Sequence, residues 1–134
     1  MYEYRAKLDR VVDGDTIDAN IDLGFDVSVH KRIRLAGIDS PESRTRDLEE
    51  KKRGLASKQR LIELLEKGNL VVESKEVGKF GRVLGVLHVY PDGGLPININ
   101  DTLVKEGFAV EYWGGKKKKK KDVMSQNDDV PFAD

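Results

Sequence analysis

Residues 16–35, TIDANIDLGFDVSVHKRIRL, decide the fold. From Thr16 to Leu23 the apolar Ile17, Ala19, Ile21 and Leu23 alternate with Asp18, Asn20 and Asp22, a period of two that predicts a strand buried on one face. Gly24 marks a turn. From Val27 to Leu35, Val27, Val29, Ile33 and Leu35 share one face while Ser28, His30, Arg32 and Arg34 share the other, so Arg34 is expected to point away from the core. Upstream, Tyr2 to Val12 is another apolar-rich run, ended by Asp13-Gly14, a strong hairpin signal. These runs predict a meander of antiparallel strands.

Downstream the period changes. Over residues 47–67, Leu55, Leu61, Ile62 and Leu65 fall on one side of a helix, most of the charged residues fall on the other, and Gly68 supplies the stop. Leu70–Ser74 and Val83–Tyr90 read as two further strands, the second followed by a turn at Pro91-Asp92-Gly93-Gly94. Asn100 or Asp101 is expected to cap a short helix through Glu106, closed by Gly107. The pattern predicts an α+β, mainly β fold: a five-stranded Greek-key barrel of the OB type with two helices. The folded domain is expected to span residues 1–115. Residues 116–134, beginning with six consecutive Lys and ending in an acidic stretch with little to bury, read as a disordered tail.

The 134 residues carry 24 Lys plus Arg, 24 Asp plus Glu, two His and no Cys. That length allows one domain with its own core. Absence of Cys excludes a disulfide framework and thiolate metal sites. With no apolar run long enough for a membrane span or an export signal, the expectation is a soluble, intracellular monomer with no membrane partner. The zero net charge argues against a simple polycation that coats nucleic acid. It conceals an asymmetry, however, since residues 1–115 hold 18 basic and 20 acidic side chains and the tail carries the compensating excess of Lys.

Several polar segments stand out against this frame. Asp13-Gly14-Asp15-Thr16 joins the first two strands and, taken alone, is a hairpin turn, although Asp15 is placed to offer a carboxylate to a hard cation. Arg34-Leu35-Ala36-Gly37-Ile38-Asp39-Ser40-Pro41-Glu42 presents two carboxylates and a hydroxyl just after an outward Arg. Asp15, Asp39 and Glu42 can converge only if the meander brings both loops to one end of the barrel, where their mutual repulsion calls for a cation. Gly78-Lys79-Phe80-Gly81-Arg82 adds a second Arg, and planar guanidinium groups match phosphate oxygens in bidentate fashion. Leu103 to Ala109 reads as core, and His30 and His88 as structural or exposed. Tyr112 and Trp113 are packing residues by default, with base stacking as their functional reading.

Together and in this order, these segments resemble the staphylococcal nuclease (thermonuclease) family, from about Tyr4 to Trp113. The resemblance implies an OB-fold barrel that hydrolyses DNA and RNA with little sequence preference, breaking the bond to the 5′ oxygen and leaving 3′-phosphate ends. It implies a calcium ion (Ca2+) held by Asp15, Asp39 and the backbone carbonyl of Ser40, with Glu42 as general base and Arg34 and Arg82 as phosphate clamps. Phe80, Tyr112, Trp113 and Lys116, Lys117 and Lys118 are the remaining candidates for nucleic-acid contact. The other class of reading is a noncatalytic OB-fold binding module, which has no use for clustered carboxylates facing a polyanion. Phe80 departs from the Tyr of the family's prototype, the long third helix of secreted members is missing, and no export signal is present. Those departures lead to the expectation of a phage or mobile-element product. Lys116–Lys121 is expected to tether the phosphate backbone, with a log-log salt slope of up to roughly −5 if all six engage. Asp128-Asp129-Val130-Pro131-Phe132 resembles the acidic tip of bacterial single-stranded-DNA-binding proteins and is the expected point of contact for any protein partner.

Overall fold

The computed structural model describes residues 2–77 and 83–112. Its elements are β1 (Glu3–Asp13), β2 (Thr16–Gly24), β3 (Val27–Leu35), β4 (Ile38–Asp39), α1 (Leu48–Leu65), β5 (Asn69–Val77), β6 (Val83–Tyr90), β7 (Ile97–Asn98), α2 (Ile99–Lys105) and β8 (Val110–Glu111). β1, β2 and β3 form the expected antiparallel meander, and β5 pairs with both β1 and β6. Parallel pairing of Ile33–Leu35 with Val83–Gly85 joins β3 to β6 and closes a five-stranded mixed barrel. Closure removes the open sheet edges that β3 and β6 would otherwise present. β7 extends β6, and β4 pairs with β8 in a separate small sheet.

The core follows the alternation except beside the β2–β3 turn, where Leu23 and Val27, expected on the inner face, are exposed because the strands run past the barrel there. Ile17, Ala19, Ile33, Leu35, Val72, Leu87 and Val89 face inward, and Leu61, Leu64, Ile99 and Leu103 of the two helices pack with them. The face of α1 differs from the expected one. Leu55 is exposed, whereas Gly54 and Ser57 are buried with Leu61, Leu64 and Leu65. The cap of α2 also moves: Asn98 accepts a hydrogen bond from the Asp101 amide, and Asn100 lies buried instead.

Asp18 was assigned to the polar face of β2 and is nevertheless only 5% exposed. The register sets it between Arg10 on β1 and Arg32 on β3. Arg32 donates to it through Nε at 2.8 Å and Nη2 at 3.1 Å, and Arg10 donates through Nε at 3.0 Å. The Arg32 hydrogen bond, helped by Arg10 and opposed by burial, lowers its pKa to about 2. A carboxylate depressed on folding contributes stability that is present above its unfolded pKa and lost as pH falls through the folded one. The Asp18→Asn variant is therefore expected to lose about 1–2 kcal/mol at pH 7, after discounting for the solvent around both Arg side chains. Urea unfolding should show this deficit shrinking between pH 4 and pH 2. A deficit that stays constant over that window contradicts the assignment.

Candidate active site

One end of the barrel gathers the carboxylates. The β1–β2 hairpin closes with Asp13 opposite Thr16, leaving Gly14 and Asp15 as its two-residue loop. Gly14 is needed there for space, since a Cβ would lie 2.7 Å from Ser57 Cβ and 2.9 Å from Ser40 Oγ. Thr16 pairs with Arg34 on β3, and the Leu35 amide donates to the Asp15 carbonyl at 2.8 Å. Asp15 and Arg34 are thus fixed side by side by the sheet itself.

Gly37, at a φ of 77°, turns the chain from β3 into β4 and delivers Asp39 and Ser40 to the same place. Arg34 Nη1 lies 3.0 Å from Asp15 Oδ2, and Nη2 lies 3.4 Å from Asp39 Oδ1. Asp15, Asp39 and Ser40 are 8%, 4% and 4% exposed. Thr16 Oγ1 donates to Asp15 Oδ1 at 2.9 Å, and the Ser40 amide donates to Oδ2 at 3.0 Å. The Nη1 contact is ionic without being a directed hydrogen bond, because this buried nitrogen finds no acceptor in line. One guanidinium therefore bridges two nearly buried carboxylates and keeps a buried donor unused.

Two supports hold the turn after β3. Asn100 accepts from the Leu87 amide at 3.1 Å and donates to the carbonyls of Ala36 at 2.9 Å and Gly85 at 3.2 Å. The Tyr112 amide donates to the Gly37 carbonyl at 2.8 Å, and Asp39 pairs with Val110. Tyr112 is thereby tied by its backbone to the segment that carries Asp39. Glu42 follows on the same loop with an exposed side chain. Its amide donates to Glu50 Oε2 at 3.1 Å, and Ser43 Oγ donates to Asp13 Oδ1.

The structure brings Asp15, Arg34, Asp39 and Ser40 together and puts Glu42 two residues beyond Ser40. Arg82, Phe80, Trp113 and Lys116, Lys117 and Lys118 lie outside the described residues, as do Lys116–Lys121 and the acidic end. Sequence reading did not find Asn100, Glu50, Gly54, Ser43 or Thr16 as parts of this site. Asn100 had the signal of a helix cap, and the other four carry no local pattern that separates them from ordinary loop and helix residues.

A metal here is a matter of donor chemistry. Among the described residues no group of three or more His, Cys, Asp and Glu is arranged around one point. Asp15 and Asp39 alone converge, as their shared guanidinium shows, and the Ser40 carbonyl belongs to the adjoining peptide. An all-oxygen set with two carboxylates fits calcium, which completes its shell with water and ligand oxygen. Among the described residues no helix is long and apolar enough to cross a membrane.

Comparison with known proteins agrees with this architecture. Residues 32–130 match the family described as Staphylococcal nuclease homologue. The chain is 38% identical over 117 residues to Micrococcal nuclease of Shigella flexneri, covering 82% of this chain and 59% of that protein. It is 31% identical over 114 residues to Protein ParB of Escherichia coli, covering 82% and 58%. It is 33% identical over 119 residues to Endonuclease YhcR of Bacillus subtilis (strain 168), covering 83% of this chain and 9% of that one. The chain thus spans somewhat under three-fifths of the first two relatives. With a closed OB-type barrel on one side and a family match across β3, both helices and the carboxylate loop on the other, the chain belongs to the staphylococcal nuclease homologue family.

Proposed function

We propose that this chain is a calcium-dependent nuclease that hydrolyses phosphodiester bonds of DNA, RNA or both with little sequence preference. The observation that carries the reading is Arg34, a half-buried guanidinium bridging Asp15 and Asp39 while its buried Nη1 lacks an aligned acceptor. A phosphate oxygen is the acceptor such a group takes up, and the two carboxylates with the Ser40 carbonyl would hold the ion. The relatives named as nucleases support the same substrate class.

Bound calcium would supply Lewis-acid polarisation of the phosphate. The chain's own residues do the rest. Arg34 binds the charge that builds on the phosphate oxygens. Arg82 is the second clamp; it precedes Val83, which pairs with Ile33, the neighbour of Arg34. Glu42, exposed on the loop, accepts a proton as a water molecule attacks phosphorus in line. The new bond is from water oxygen to phosphorus and the bond that breaks is from phosphorus to the 5′ oxygen, leaving a 3′-phosphate. A guanidinium hardly deprotonates in a protein, so the leaving 5′ oxygen takes its proton from solvent.

The test is to incubate plasmid DNA, single-stranded DNA and RNA with the protein in calcium or in chelator. Cleavage is expected only with calcium, giving ends that a polymerase extends after phosphatase treatment and not before. Intact nucleic acid in both buffers, with binding retained in a gel shift, overturns the proposal in favour of a noncatalytic binding module.

A further inference from the structure

We propose that Glu50, in the first turn of α1, is a positioning residue that fixes where Glu42 stands. The inference rests on the nuclease reading and adds to it the element that places the base. Glu42 has an exposed, unpacked side chain, so its carboxylate can be located only through its backbone. A general base must reach its proton within about 2.6–3.2 Å, which makes that backbone matter.

The chain at Glu42 and Ser43 is held at three points. Glu50 Oε2 accepts from the Glu42 amide at 3.1 Å. Gly54, one turn further along α1, leaves room for the Glu42 carbonyl, which would stand 2.3 Å from any Cβ at that position. Ser43 Oγ donates to Asp13 at the foot of the β1–β2 hairpin. The carboxylate loop is thereby docked on the helix and on the hairpin that carries Asp15.

The helix itself has no need of Glu50. Asp47 is the N-cap and accepts from the amides of Glu49 and Glu50. Glu50 occupies the third helical position, where an acidic side chain commonly reaches back to the amide of the cap residue. Here Thr45 Oγ1 already accepts from the Asp47 amide at 3.2 Å. Glu50 is released from the capping box and turns to Glu42, five residues before the cap. A side chain that leaves its usual helical partner for a loop amide orders that loop and leaves the helix end unchanged.

The test compares the unmodified protein with Glu50→Ala and Glu50→Gln, by amide hydrogen exchange at Glu42 and by steady-state cleavage in calcium. Glu50→Ala should speed exchange of the Glu42 amide at least about tenfold. It should lower kcat roughly 10- to 100-fold, the scale of a 1 Å misplacement, with KM within about twofold. Glu50→Gln keeps an acceptor oxygen and should restore both quantities to within about threefold. The melting temperature of Glu50→Ala should stay within about 2 °C, since Asp47 and Thr45 still cap α1. Unchanged exchange or unchanged kcat in Glu50→Ala, or an equal fall in both variants, overturns the proposal. If the unmodified protein cleaves nothing, the nuclease reading fails separately, and the exchange comparison still decides whether Glu50 holds Glu42.

Discussion

Arg34→Met is expected to lower turnover by about two to three orders of magnitude. It is also expected to destabilise the calcium-free protein by about 3–5 kcal/mol. Both effects come from one contact set. The guanidinium lies 3.0 Å from Asp15 and 3.4 Å from Asp39, and its side chain is 18% exposed. Met fills similar volume and removes the charge, leaving two nearly buried carboxylates facing each other at close range. If those carboxylates hold calcium as proposed, the ion should return part of the lost stability, because without the competing guanidinium the variant binds it more tightly and a ligand of the folded state stabilises by mass action. Urea unfolding in chelator and in saturating calcium gives the comparison, and the deficit should be clearly smaller with calcium. Equal deficits in the two buffers would mean that removing Arg34 leaves calcium affinity unchanged, contrary to a guanidinium that competes with the ion for Asp15 and Asp39. Arg34→Lys separates the roles: it keeps a charge near the carboxylates and should recover much of the stability. It loses the planar fork that engages phosphate and should recover little of the turnover.

The barrel was legible because its strands advertise themselves. β3 and β6 have the boundaries that alternation predicts, and β2 differs by one residue. The features that escaped are those whose cause lies across the fold. Asp18 reads as a surface carboxylate on β2 until neighbouring strands supply Arg10 and Arg32. Leu55 reads as the start of the apolar face of α1, yet that end of the helix meets a loop backbone at Gly54 and Ser57, and only small residues permit the approach. Asn100 carries the local signal of a cap, while its side chain braces α2 against Ala36 and Gly85. β4 and β8 are two residues each, too short for any period to register. They nonetheless deliver Asp39 beside Arg34. The residues with charge were visible as candidates; the machinery that aims them is made of amides, small side chains and a displaced capping residue.

Glu42→Gln is expected to lower kcat by about two to four orders of magnitude, the contribution of a positioned general base. The substitution preserves length and volume and leaves the backbone amide free to donate to Glu50 as before. Among the described residues the Glu42 carboxylate forms no ion pair, and the side chain is exposed, so the melting temperature should stay within about 2 °C. KM should change little, because a water-activating group acts on the reaction step and not on substrate binding. Single-turnover cleavage in saturating calcium measures the step directly. Glu42→Asp then discriminates base chemistry from simple charge: it retains the carboxylate and withdraws it by one methylene, so turnover should fall to a level between Gln and the unmodified protein. Turnover of Glu42→Gln above about a tenth of the unmodified rate would assign proton removal to solvent and reduce Glu42 to a bystander on its loop.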